Sequence, residues 1–352
     1  MRSESEAFLK KMVELPSPSG YEQPVQAAFR EYVTPLADSV ETDVLGNVHA
    51  VVNPGGNPRL MFAGHADQIG FIVRHFDDEG FLYVAAVGGI DVPTVPSKRV
   101  RIWTKNGPIL GVFGRKSVHL MNEEDRKKQP EMHELWVDIG VSSAAEARAK
   151  VALGDPVTFA EPLEHITDDL CISPGFDNKM GSFVMAETVR LLKGKNPRAS
   201  IHAISTTQEE IGLRGAQTSA FKVDAKVGVA VDVGHVSDYP GVDKRKVGPN
   251  RVGGGPMICR GANINPRVFE MLVETAEAEK IPYQIEVAAR GTGTDANVMQ
   301  ITRAGMATGL VSTPLRYMHS TCELMSLTDI ENTARLCAAF ALRINGDLDF
   351  TP

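Results

Sequence analysis

The sequence predicts an α/β fold: a mostly parallel sheet with helices on both faces, interrupted by a small all-β insertion. Three observations predict it. Helix and strand patterns alternate from about Asp168 to the end of the chain, the signature of a sheet wound with helices on both sides. Near the start, Leu60-Met61-Phe62-Ala63 is a short continuous apolar run, as expected of a strand covered on both faces. Between these regions, from about Gln68 to His165, short strand patterns are separated by Gly, Pro, Asp and Asn turns, which suits a small barrel or sandwich. Residues 1–67 and 166–352 are therefore expected to form one α/β domain, and residues 68–165 a β-rich insertion.

Each element has its own justification. Phe8, Met12 and Val13 recur at helical spacing, and Ser17-Pro18-Ser19-Gly20 ends that run with turn residues. A second helix spans about Glu22 to Tyr32. Asp43 to Val52 reads as a hairpin with Gly46-Asn47 at its turn. In the insertion, strands are expected around Phe71–Val73, Phe81–Val84, Val100–Trp103, Ile109–Phe113 and Pro156–Phe159. Ser143-Ala144-Ala145-Glu146 is a capping-box pattern before a helix. Asn122 to Lys128 reads as a solvated helical turn, with acids first and bases last. Further on, Lys179 to Leu192 reads as an amphipathic helix, and Ile201–Thr206 and Val227–Val233 as buried strands. Asn265-Pro266 opens a helix reaching Glu279. Tyr283–Val287 is a strand, Ala296–Arg303 a helix and Ala307–Val311 a strand; Ser326 caps a terminal helix to about Leu342.

Composition excludes several classes of function. The 352 residues carry 37 Lys+Arg against 44 Asp+Glu, a net charge of −7. A nucleic-acid or anionic-membrane binder needs a basic surface instead. No apolar stretch approaches the roughly 20 residues needed to cross a bilayer, and the polar first residues do not read as a signal peptide. The four cysteines are scattered without a CxxC pair, so a reducing cytoplasm is the expected setting.

In open α/β sheets, sites form beyond the carboxyl ends of the strands. Polar residues follow the buried strands with unusual regularity. Gly64-His65-Ala66-Asp67 follows the Met61 strand, and Thr207-Gln208-Glu209-Glu210 follows the Ile201 strand. Asp232 ends the Val227 strand, Met318-His319-Ser320 comes after Val311, and Asp177 opens the helix near Asn178. Two imidazoles and several carboxylates without clustered thiols form a nitrogen and oxygen donor set suited to zinc, cobalt or manganese. His65, Asp177, Glu210, Asp232 and His319 supply enough groups for two ions. Glu209, adjacent to Glu210, is left free to move a proton. Asp67, two residues after His65, can accept from the imidazole nitrogen that faces away from a metal.

Taken singly, each residue has a plainer reading. A lone His after a strand is usually structural, Glu-Glu is usually a solvated helix start, and Asp177 alone is a helix cap. Asp232 is harder to dismiss, because a buried carboxylate without a partner is costly. Other chemistries lack their motifs: there is no GxSxG turn and no GxxxxGK[ST] loop. Gly291 to Ala296 reads as a tight turn capping the next helix and lining a substrate site, and Gly253-Gly254-Gly255-Pro256 as a close backbone approach or a flexible rim.

Six ordered segments complete the pattern: Gly64 to Gly70, Phe176 to Gly181, Gln208 to Ala216, Val231-Asp232-Val233, Gly293 to Ala296 and Arg316 to Ser320. Together they resemble the M42 family of dinuclear metallo-aminopeptidases, which includes the tetrahedral (TET) aminopeptidases, glutamyl aminopeptidases and endoglucanase M-like proteins. The resemblance implies a zinc-peptidase-like fold with a β-rich dimerisation insert. It implies two divalent ions, zinc or cobalt with manganese possible, bridged by Asp177. His65 and Asp232 complete one site, Glu210 and His319 the other; Glu209 is the general base and then acid, and Asp67 orients His65. Dimers assembling into a dodecamer and short peptide substrates are implied as well. Two positions depart from the family pattern: Gln68 where Glu is common, and Lys179 where Arg is common. Independently of the resemblance, exposed strand edges in the insertion suggest association. Two rival functions keep the same ligands: a deacylase or amidohydrolase on small molecules, and a binding or scaffold protein with a structural metal.

Overall fold

The computed structural model describes all 352 residues, Met1–Pro352. Its centre is an eight-stranded sheet. From one edge to the other the strands are Ser39–Thr42, Val48–Val52, Ser200–Thr206, Arg59–His65, Val227–His235, Ala307–Leu315, Met257–Gly261 and Gln284–Ala288. The four middle strands are mutually parallel, and the last two pair parallel with each other. The remaining three pairings are antiparallel. The expected mostly parallel sheet therefore holds for the centre and not for the margins. The first margin is a hairpin closed around Gly46, and a tight hairpin permits only antiparallel pairing.

Alternation along the central strands explains the two layers. Leu60 and Phe62 face the same core as Val229 and Val311, beneath the helices Ser3–Glu14, Gln23–Val33, Phe176–Leu192, Pro266–Ala278 and Leu327–Arg343. Met61 and Ala63 face the other way, with Ile204 and Ala230, beneath Arg214–Val223 and Ala296–Gln300. Helices thus cover both faces. The Phe176–Leu192 helix is not amphipathic as expected. From Phe176 to Val189 every residue is buried, Lys179 and Glu187 included. It lies between the sheet, the two amino-terminal helices and the terminal helix, and a helix enclosed on all sides has no solvated stripe. The approach to the sheet is close. A Cβ on Gly64 would lie 2.5 Å from the carbonyl carbon of Gly181.

Local signals predicted the helix starts well. The Asn265 side chain accepts from the Arg267 and Val268 amides, and the Ser326 hydroxyl accepts from the Asp329 amide. Ser143 accepts from Glu146, but the Glu146 carboxylate takes the amide of Ser142 rather than that of Ser143, so the box is shifted by one residue. The helix from Ala296 stops at Gln300, short of Arg303, because the backbone turns left-handed at Arg303 and Gly305. Of the two readings of the Gly253 to Gly255 segment, close backbone approach holds: the Gly253 and Gly255 amides donate to the Asp329 carboxylate at 2.6 and 2.8 Å, and a Cβ on Gly255 would overlap the Pro282 carbonyl.

The inserted strands close into a six-stranded barrel: Gly70–Phe76, Leu82–Val87, Trp136–Asp138, Gly107–Gly114, Arg99–Thr104 and Pro156–Phe159. Phe71, Val84, Ile102, Phe113 and Val157 fill it. Closure removes the free edges, so the edge argument for association falls.

Candidate active site

The four parallel strands all run toward one rim, and their carboxyl ends deliver the polar residues there. His65 ends its strand and is almost fully buried. Glu209 and Glu210 follow Ser200–Thr206, Asp232 sits in the carboxyl half of Val227–His235, and His319 follows Ala307–Leu315. Asp177 enters from the start of the buried helix, where its own backbone is not helical and its peptide bond to Asn178 is cis. Gln208, Tyr317 and His319 have left-handed backbone, with φ of 55°, 63° and 60°. Such conformations in residues other than glycine concentrate where a fold constrains a functional loop.

His65, Asp177, Glu209, Glu210, Asp232 and His319 line one cleft of about 400 Å³. Asp177 stands between the imidazoles: its Oδ1 is 3.5 Å from His65 Nε2 and its Oδ2 is 3.3 Å from His319 Nε2. His65 Nε2 also lies 3.7 Å from Glu209 and 3.8 Å from Asp232. His319 Nε2 lies 3.7 Å from Glu210. Two three-residue groups have donor atoms mutually within 4.8 Å: His65, Asp177, Glu210 and His65, Glu209, Asp232. All five candidate ligands and Glu209 are therefore brought together.

Behind them is a shell of hydrogen bonds. His65 Nδ1 donates to the main-chain carbonyl of Asp67 at 3.0 Å, while the Asp67 carboxylate is 3.4 Å away. The carboxylate is occupied elsewhere, accepting from the Ser19 hydroxyl and from the Glu209 and Glu210 amides. Asp67 thus holds the Glu209 loop as much as the imidazole. His319 Nδ1 donates to the Gly89 carbonyl at 2.8 Å, a contact from the loop after the barrel strand Leu82–Val87. With Nδ1 protonated on both rings, each Nε2 is left free to ligate.

Charge in the cleft is unbalanced. Asp67, Asp177, Glu209, Asp232, Asp295 and Glu323 are buried, with Glu210 nearly so, against two imidazoles. Burial pushes Glu209 and Asp232 well up, and Glu210 up to about 7. Burial opposes charge on His65 too, but Glu209, Asp177 and Asp67 outweigh it and raise the imidazole. The hydrogen bond to Asp177 raises His319 to about 9. For Asp177 burial acts upward, but both imidazoles hold the carboxyl low. Buried carboxylates in excess of cations are costly, and divalent ions relieve that cost. The donor set, all imidazole and carboxylate, fits zinc, cobalt or manganese.

Sequence reasoning missed Glu323. It is fully enclosed, and its carboxylate accepts from the Asp177 amide at 3.1 Å and the His319 amide at 2.9 Å. An acid opening the short buried strand Glu323–Ser326 was the available signal. It missed Asp295 as well, which is not a helix cap: its carboxylate accepts from the Thr206 hydroxyl at 2.7 Å. The adjacent Gly291–Thr294 stretch does line the cleft. Lys179 makes no contact with the candidate ligands and donates to the Val13 and Leu15 carbonyls. Gln68 packs beside Gly175.

Residues 46–336 match the family described as M42 glutamyl aminopeptidase. The chain belongs to the M42 family. A lysyl aminopeptidase from Pyrococcus furiosus is 38% identical over 348 residues, covering 98% of this chain and 99% of its own. A glutamyl aminopeptidase from Lactococcus lactis is 27% identical over 96% of both chains. Among solved structures, a TET aminopeptidase from a marine sediment Thaumarchaeota archaeon superposes with a TM-score of 0.92 at 32% identity, covering 97% of each chain. The Pyrococcus horikoshii TET1 peptidase, which can assemble into a tetrahedron or a large octahedral shell, has a TM-score of 0.86 at 27% identity over 97% of this chain and all of its own. As an M42 aminopeptidase the chain is a hydrolase of peptide bonds, and the amidohydrolase and scaffold alternatives give way. No helix is long and apolar enough to cross a membrane.

Proposed function

We propose that this cleft is a two-cation centre that removes the first residue of short peptides. The position of Asp177 carries the reading: one carboxylate oxygen faces each imidazole, as a ligand shared by two ions must. His65 and Asp232 would hold one ion and Glu210 and His319 the other, with Asp177 within reach of both. Zinc or cobalt suits these donors, and manganese is accepted by the same set. When bound, such ions lower the pKa of water from 15.7 toward about 7 and polarise a carbonyl.

The protein's own groups do the rest. Glu209 takes the proton of the attacking water and delivers it to the leaving amine nitrogen. Its burial beside Asp232 and His65 keeps that carboxyl able to carry a proton near neutral pH. Asp67 fixes the Glu209–Glu210 turn through two amides and supports His65 through its main-chain carbonyl. Unfilled carboxylate positions at the rim receive the peptide's ammonium group.

Residues 68–165 act as a dimerisation insert, and dimers associate further into a dodecamer in the cytoplasm. Leu110, Val118 and Leu120 on the insert expose 64%, 55% and 72% of their surface, apolar area that a partner would cover. A TET1 structure that superposes on this chain with a TM-score of 0.86 is a dodecamer, which favours the same assembly.

Replacing Glu209 with Gln tests the chemistry. Metal content should persist while kcat falls about 10²- to 10⁴-fold, the usual contribution of a general base. Turnover that survives the change would remove Glu209 from the mechanism.

A further inference from the structure

We infer that Glu286 selects the first residue of the peptide and favours lysine or arginine there, an inference that rests on the peptidase reading above and adds the substrate class. Glu286 lies on Gln284–Ala288, the outermost strand of the sheet, yet it lines the catalytic cleft. Its Oε2 accepts from the Ser312 hydroxyl at 2.7 Å. Ser312 is the register partner of Asp232 on the neighbouring parallel strand, so the two side chains leave the same face about 4.8 Å apart at the backbone. The Glu286 carboxylate is therefore seated beside the candidate metal ligands.

It makes no ion pair and no other hydrogen bond. Burial pushes its carboxyl above the ordinary range, with only Ser312 acting the other way. Glu286 is half-buried in the cleft wall; a carboxylate drawn partly out of water without a cation carries a desolvation cost, which an incoming ammonium or guanidinium relieves. Ala288, Leu310 and Met318 line the same cleft, and long basic side chains lay their methylene stems along apolar surface while the charged head finds a partner. Arg290 also lines the cleft but is exposed. An exposed charge in water discriminates weakly, so the inner carboxylate dominates the choice.

The test uses the full-length, metal-loaded protein and aminoacyl-anilides of Lys, Arg, Leu and Glu. The wild type is expected to hydrolyse the Lys and Arg substrates with higher kcat/KM than the Leu and Glu ones. Glu286→Gln, which keeps the side-chain shape, should lower the Lys-to-Leu ratio of kcat/KM about 10- to 100-fold, the value of a hydrogen bond to a charged group. Glu286→Lys should move preference toward Glu. A wild type that prefers Leu or Glu, or a Glu286→Gln ratio equal to that of the wild type, would overturn this inference alone. No hydrolysis of any aminoacyl substrate by the loaded wild type would overturn the peptidase reading along with it.

Discussion

Asp67 exposes none of its surface and accepts hydrogen bonds from Ser19, Glu209 and Glu210. An Asp67→Asn change turns one acceptor into a donor facing donors. It should cost about 1–3 kcal/mol of folding stability and weaken metal binding about 10- to 100-fold, read by urea denaturation and by competition with a metal chelator. Unchanged values in both assays would make Asp67 a bystander. At this scale the sequence was informative wherever a residue acts through its own side chain. His65, Asp177, Glu209, Glu210, Asp232 and His319 lie in the carboxyl halves of strands, follow strands or open a helix, and all reach the cleft. Glu323 escaped because it acts through backbone amides of Asp177 and His319, and no spacing rule predicts which amides a distant turn will present.

Among the elements, those with local punctuation were legible. Asn265-Pro266 and Ser326 mark helix starts because a side-chain oxygen meets amides within three residues. Elements defined by their surroundings were not. The strand Met257–Gly261 follows a Gly-Pro segment and carries only three apolar residues, so turn signals mask it. The Phe176–Leu192 helix owes its burial to what packs around it. The contact between this helix and Arg59–His65 yields a prediction. A methyl group at Gly64 meets the Gly181 carbonyl carbon at 2.5 Å and its oxygen at 2.7 Å, and backbone atoms cannot rotate aside. Gly64→Ala should therefore destabilise the protein by about 1–3 kcal/mol through overpacking and displace His65, the next residue. Chemical denaturation and zinc affinity report the two effects; a variant as stable as the wild type would show that helix and strand separate freely.

For the whole molecule, the sheet makes convergence possible. Parallel strands put their carboxyl ends on one rim, so residues from His65 to His319 meet without any being close in sequence. The barrel stands apart with its own core, yet the loop after its second strand reaches the rim through Gly89. The alternation of elements made this architecture readable. The hairpin at the first margin was readable from its Gly46-Asn47 turn, but the antiparallel strand Met257–Gly261 at the other was not, because strand direction at an edge depends on connections rather than on composition. The buried acids of the rim outnumber its imidazoles, so the assembled molecule should be more stable with cations than without them. Zinc titration into chelator-stripped protein, followed by calorimetry and elemental analysis, measures this most directly. The account predicts that the unfolding temperature rises until two ions are bound per chain, with a gain of about 2.7 kcal/mol per site when free zinc is a hundredfold above that site's Kd, and that peptidase activity appears over the same range. Full activity in the stripped protein, with no zinc retained and no change in unfolding temperature, would contradict it.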